Sequence, residues 1–392
     1  MTARHLDVAE RRARLVTRHA LDPSTRADDP VGAARSVVAL HATDPLTVFL
    51  SVRARTDGVG PEDIERAFVE DRSLIRWLGW RRTLFAVPRE LVPVIHASAT
   101  RAVAARERRS LIGVVARSAI TVDPDRWLDG VEHVVVEALT ARGEATTSEL
   151  IEAVPALAAP VRTAVGTRWE RTHRAGVLVL PLLAMQGRLV RGRPRGTWVS
   201  SQFYWASTEA WLGTPLEGQD PAAARAEVVR RWLRAFGPGT EADLRWWTGW
   251  PVRDVRAALA AVPHVQVDLG GAVGHVLADD LDPTPLPEPT AALLPTLDPT
   301  TMGWRDRDWY FDRPNGLVDS AGNVGPTVWW AGRVVGGWAQ RPDGQVVTGL
   351  VEDVGADARR AIADEADRVR DWLGPVRLAP GVLPPYQRAL VH

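Results

Sequence analysis

Apolar positions recur at helical spacing along most of the chain, and one order of elements appears three times: several helices, then a Gly-containing pair of short strands. In the first block, residues 1–120, Asp7–His19 has helical spacing. Pro30, Pro45 and Pro61 each stand where a first helical turn begins, which predicts helices over Pro30–Leu40, Pro45–Arg55 and Pro61–Val69. Ser73–Val87 is rich in β formers and reads as a strand pair, followed by a helix over Pro88–Ala105. The second block, 121–213, reads as helices over Trp127–Thr140, Ser148–Val154 behind an N-cap at Thr147, and Val161–Gly187 with a break near Gly176. The segment GRLVRGRPRGTWVSS then sets two short strands around a Gly/Pro/Arg turn. The third block, 214–280, predicts helices over Ala222–Phe236, Glu241–Trp247 capped by Thr240, and Pro251–Ala261. A hairpin follows across Gly270-Gly271, with strands Val265–Leu269 and Val273–Leu277. After a Pro-rich linker over 281–290, the last part, 281–392, carries short strands at Ala291–Leu294, Val328–Ala331, Val334–Ala339 and Val346–Val351. Ala356–Trp372 closes it as an amphipathic helix. The expected class is α+β and mainly helical: three similar units and a C-terminal barrel or sheet.

Composition narrows the chemistry more than the fold. The 392 residues are 45% apolar and 24% charged, ordinary for a globular protein of two to four domains. No apolar run approaches the ~18 residues a membrane helix needs, and the first residues lack the apolar core of a secretory signal. There is no Cys, which removes disulfides, thiolate metal sites and a Cys nucleophile and fits a reducing, cytoplasmic setting. There is no Lys either, so neither a Lys Schiff base nor a P-loop Lys is available. The nine His residues show no HxxxH or HExxH spacing, and no metal or cofactor is expected. Formal net charge is zero, so any nucleic-acid contact must come from local patches. Most of the 17 Trp residues are expected in the core.

Such patches exist. Helices followed by a hairpin are the order of a winged helix, whose last helix enters a major groove while the wing reaches phosphates or the minor groove. Arg188, Arg191, Arg193 and Arg195 fall within the wing of the second block and suit a narrow, negative groove. Arg76–Thr83 interleaves basic and aromatic residues. Strand alternation buries Trp77 and frees Arg76, while Arg81 and Arg82 stand as phosphate contacts. Asp298, Arg305, Asp306, Arg307 and Asp308 gather around Trp304 and Trp309 and read as an ion-pair network fixing the C-terminal part to the helices.

Several segments, in order along nearly the whole chain, resemble the AlkZ-type winged-helix DNA glycosylases. They are LHATDPLTVFLSVRAR, SLIRWLGWRRTLFAVP, GEATTSELIEAVP, GRLVRGRPRGTW, FGPGTEADLRWWTGW, LLPTLDPTTMGWRDRDWYF and VWWAGRVVGGWAQ. The resemblance implies three tandem winged-helix units and a small β-barrel forming a C-shaped clamp on damaged double-stranded DNA, acting as a monomer. It implies a monofunctional glycosylase that removes bulky or cationic alkylated purines of the N7-alkylguanine type. The family's QxQ or QxD pair holds a water near the anomeric carbon, and here those positions are His41 and Thr43. A neutral His orients or activates water, a Thr hydroxyl completes the water site, and the adjacent Asp44 orients His41 or stabilises the sugar cation. Phe85 stands where the family motif has a His.

Other readings stay open from sequence. His41 and Thr43 suit a helix N-terminus as well as a water site, and the departure from the family pair suits a non-catalytic regulator or lesion-binding protein. Trp-rich clefts also suit sequestration of a small DNA-damaging molecule.

Overall fold

Helices begin where a side chain accepts from their free N–H groups. Asp7, Asp29, Asp44, Asp123, Asp220 and Thr240 each cap a helix this way, four of them with Pro in the first turn. The computed structural model describes residues 4–312, 316–379 and 384–391. Pro61–Val69 forms a helix over the expected residues, and the cap expected at Thr147 falls one residue earlier, on Thr146. The helix expected over Pro88–Ala105 forms and runs on to Arg117, with changing pitch: a 3-10 turn at Arg89–Leu91, an α turn at Val92–Ile95, a π turn at His96–Thr100 and the regular α-helix Arg101–Arg117.

The helix expected over 161–187 divides. Pro160–Thr163 and Arg171–Arg174 form a separate two-stranded hairpin, and only Gly176–Met185 is helical. Ala164 and Gly166 adopt φ of 51° and 77° in the intervening turn, which no helix admits. The apolar residues there are too sparse to hold the segment helical against the turn.

A six-stranded antiparallel sheet organises the centre. Its order is Leu40–His41, Leu84–Pro88, Leu74–Leu78, Leu189–Pro194, Phe203–Ser207 and Glu144–Ala145. The strands come from both sides of the expected boundary at residue 120, joined by the pairing of Arg76 with Arg191. The hairpin His264–Asp268/Val273–Leu277 gains a third, parallel strand from Arg4–His5. Ala291–Leu294, Thr327–Trp330, Arg333–Gln340 and Val346–Leu350 form a four-stranded antiparallel meander, against which the helix Ala356–Leu373 packs. The fold is mixed α+β, as the sequence pattern predicts. Among the described residues no helix is long and apolar enough to cross a membrane.

One continuous apolar core runs from Leu15 to Leu373 and unites the first block, the third block and the C-terminal part, joined by Val190, Trp198, Ala206, Trp211 and Leu212 of the second block, while most apolar residues from Leu111 to Leu189, with Trp205, form a second core. A polar knot crosses the larger core. Arg55 and Asp298, both fully buried, make a bidentate pair at 2.7 and 2.8 Å. Ser51 and Thr300 add hydrogen bonds, and His19 links Thr300 to the carbonyl of Ala235. Burial alone would raise the Asp298 carboxyl, but the Arg55 charge and these hydrogen bonds override it and hold the pKa low. The network expected around Trp304 therefore has a different composition. Asp298 pairs with Arg55 on the first block, not with its neighbours in sequence.

Candidate active site

The strand Leu40–His41 lies at the edge of the central sheet, opposite Ala86 and Phe85. The chain enters it through Val38, at φ 69°, and leaves it through Asp44, which caps Pro45–Arg53 by accepting from the Leu46 N–H at 3.0 Å. The cap of this helix is thus Asp44 rather than His41 or Thr43. The Phe85 ring stands edge-on to the His41 imidazole, with centroids 5.9 Å apart. A Cβ at Gly79 would come within 2.9 Å of the Phe85 ring, so any larger residue there would push the ring from its place on this wall.

His41 borders a cavity of about 110 Å³. Val37 and Ala39 form one wall with it, Trp80, Arg81, Thr83 and Phe85 a second, and Leu297, Pro299 and Met302 a third. Trp246 and Trp247 close a side, with Trp247 4.3 Å from Trp80. Each wall carries a non-glycine residue in left-handed conformation: Val38 at φ 69°, Arg81 and Arg82 at 55° and 62°, and Leu297 at 55°. These are four of the nine such residues among the described part of the chain, gathered at one place. Each costs on the order of 1–3 kcal/mol and persists only where its surroundings fix it. The fixing groups are visible. Asp298, beside Leu297, is locked by Arg55, and Arg81 lies 5.2 Å over the Trp246 ring and against Gly249.

Two polar atoms on these walls are buried without a hydrogen-bond partner among the described residues, His41 Nδ1 and Trp80 Nε1. Burial, helped by the positive charge of Arg81, pushes the His41 imidazole down to about 4. At neutral pH the ring is uncharged.

The other expected residues are distributed around this cavity rather than in it. Thr43 and Asp44 line an adjoining concavity of about 400 Å³ with Val199, Ser201 and Arg377, and Leu297 borders both spaces. His41 and Thr43 are therefore neighbours across Leu297 and do not face one pocket. Arg81 and Arg82 are exposed, Arg82 lying 3.3 Å from Glu107. In the wing, Arg188 stands 3.6 Å from Glu132, and Arg193 pairs with Glu144 at 2.6 Å and covers Tyr204. Arg191 lies within the sheet, 4.4 Å over Phe203. Arg195 is exposed beyond the end of the strand. The second strand of this hairpin is Phe203–Ser207, further along than the sequence pattern suggests, because Trp198 turns into the core and stacks on Phe49.

Sequence reading missed two features. The hairpin at 160–174 presents Trp169, 62% exposed, with Arg168 lying over its ring. The alternation in RTHR was its only signal. Arg76, expected to be free, is instead tucked 4.0 Å over Phe68 and donates to the Gly192 carbonyl at 3.0 Å. Among the described residues no cluster of His, Asp or Glu has the makings of a metal site.

The structure is similar to that of Streptomyces sahachiroi DNA glycosylase AlkZ, with a TM-score of 0.71 at 21% identity, over 95% of this chain and 98% of that one. At that identity the likeness speaks for the fold. No curated protein matches the chain. The sequence profile of the family described as DNA glycosylase AlkZ-like matches residues 34–372, a span that includes the His41 strand, the central sheet and most of the C-terminal part. The chain belongs to the AlkZ-like DNA glycosylase family and is a DNA glycosylase, a hydrolase whose partner is DNA.

Proposed function

We propose that the His41 cavity is the catalytic pocket of a monofunctional glycosylase that excises cationic, N7-alkylated purines from double-stranded DNA. The observation that carries this reading is the orphaned His41 Nδ1 and Trp80 Nε1 on a cavity whose three walls are held in strained backbone. Buried polar atoms are normally satisfied, and orphans at a strained site suit a water or substrate atom that arrives during the reaction.

An N7-alkylated purine carries its positive charge into the reaction. Cleavage of the glycosidic bond leaves the electron pair on the purine and neutralises it, so no acid is needed at the leaving group. The oxygen of a water bonds to the anomeric carbon, and its proton passes to solvent. The protein's task is to hold that water and to favour the oxocarbenium-like sugar. A neutral His41 accepts a hydrogen bond from the water without presenting positive charge to a cationic transition state. A cavity of about 110 Å³ is small beside the roughly 300–1,000 Å³ of pockets that engulf a drug-sized ligand, which supports an adduct that stays outside in the groove. Thr43 and Asp44, in the adjoining concavity, face the flanking sugar, and the exposed Arg81, Arg82 and Arg195 approach the phosphates. The helices over 221–260 followed by the hairpin 264–277 support reading these blocks as winged-helix units clamped, as a monomer, on the duplex.

The test is base release from duplexes carrying N7-methylguanine and bulkier N7 adducts. His41→Ala is expected to abolish release while duplex affinity is kept. Unchanged release by His41→Ala would remove His41 from the reaction.

A further inference from the structure

Arg76 and Arg191 face each other as cross-strand partners in the central sheet. Like charges set directly opposite in an antiparallel pair are destabilising, and burial raises the cost. Neither guanidinium has a carboxylate at ion-pair distance among the described residues; Glu65, on the helix Pro61–Val69, reaches Arg76 only through its field. Each is held by other means. Arg76 lies 4.0 Å over Phe68 and donates to Gly192 O at 3.0 Å, and Arg191 lies 4.4 Å over Phe203. Ring faces fix their positions without cancelling their charge. Burial, and for Arg76 also the neighbouring Arg191 charge, lowers both pKa values, Arg76 to about 10, so both stay cationic at neutral pH.

The two arginines line one small notch together with Thr43, Ser200 and Ser201. Two uncompensated cations and three hydroxyls around a recess are a donor set for a tetrahedral oxyanion. Thr43 places the notch two residues along the chain from His41. We infer that this notch seats one phosphate of the DNA backbone, next to the nucleotide whose base is released. The assignment rests on the glycosylase reading for its ligand, DNA, but not for its chemistry, which is that of a phosphate. It also gives Thr43 a role in phosphate contact, consistent with its absence from the His41 cavity.

The experiment uses the full chain and Arg76→Met and Arg191→Met variants, with three readouts. In thermal unfolding without DNA, removing one of two opposed cations is expected to leave the midpoint unchanged or raised, and inorganic phosphate is expected to raise it for the wild type only. In duplex binding, each variant is expected to bind about tenfold more weakly, with the slope of log affinity against log salt reduced by about 0.9, the value for one phosphate contact. In a scan of single methylphosphonates along a duplex carrying one stable abasic-site analogue to fix the register, wild type is expected to lose affinity at one position beside that site, and Arg191→Met is expected to show no further loss there. Stabilisation by phosphate without any methylphosphonate effect would mean that the notch takes free anions and not the DNA backbone. A lowered midpoint with an unchanged salt slope would mean that the arginines only hold the sheet. Either result overturns the proposal. Loss of the glycosylase reading alone would appear separately, as no base release by a wild type that still passes the phosphate scan.

Discussion

The pKa of His41 makes the sharpest claim about mechanism. An imidazole near 6.5 that is moved to about 4 by burial and the Arg81 charge has its cation disfavoured by about 3 kcal/mol. At pH 7 only about one ring in a thousand is protonated. A group with such a conjugate acid is a weak proton acceptor, so its contribution is a directed hydrogen bond and not base strength. Two consequences follow. Single-turnover release of N7-methylguanine should be flat from pH 5.5 to 8.5, without an inflection near 6.5. His41→Gln, which keeps an acceptor of similar reach but cannot titrate, should retain within about tenfold of the wild-type rate with an unchanged profile. His41→Leu, isosteric but without an acceptor, should lose about 10²-fold or more. The assay is quenched-flow or hand-mixed base release with enzyme in excess, so that product dissociation is not observed. An acid limb near pH 6.5 that vanishes in His41→Gln would show a ring that titrates as a general base, and the burial argument would be wrong.

Three further outcomes are expected. Asp298→Asn leaves the fully buried Arg55 cation uncompensated and should cost about 3–5 kcal/mol, whereas Arg55→Met with Asp298→Leu should recover most of it; urea unfolding of the three proteins decides, and a single-variant loss under about 1 kcal/mol would contradict the role given to the pair. Trp169→Ala at the exposed hairpin should leave stability within about 0.5 kcal/mol and weaken duplex binding by roughly five- to a hundredfold if the ring stacks on DNA, as fluorescence anisotropy would report; equal affinity would remove the hairpin from the DNA surface. His19, His41 and His96 all have folded pKa values below 6.5, at about 3, 4 and 4, so the unfolded chain binds more protons between these limits. Their contribution is complete above about pH 6.5 and is lost as pH falls towards 4; wholly buried His19 alone accounts for about 2 kcal/mol at pH 5, and a urea midpoint that does not move between pH 7 and 5 would refute it.

What was legible in the sequence was local. The Thr240 cap, first-turn prolines such as Pro30 and the Gly270-Gly271 hairpin set their elements within a few residues, because each depends on neighbours in the chain. Pairings between distant segments were not legible. Nothing in RLVRGRP announces that Arg191 will lie opposite Arg76, and nothing in LLPTLDP that Asp298 will find Arg55. The wing arginines looked free for DNA because sequence does not show Glu132 and Glu144 arriving beside Arg188 and Arg193.

The same limitation explains the two departures from the family pattern. Read along the chain, His41 in place of the first family Gln and Phe85 in place of the family His are separate losses, 44 positions apart. In the sheet they are one cross-strand pair with rings 5.9 Å apart, both on the wall of the same cavity. Side chains of directly opposed strand residues sit close enough to pack against one another. An imidazole is thus present at this wall, carried by the edge strand instead of its neighbour, and Phe85 supplies the apolar surface that keeps it neutral. The two side chains therefore shape one wall together. Phe85→His would set a second imidazole against the first without restoring the family arrangement, and only His41→Gln combined with Phe85→His would recreate it.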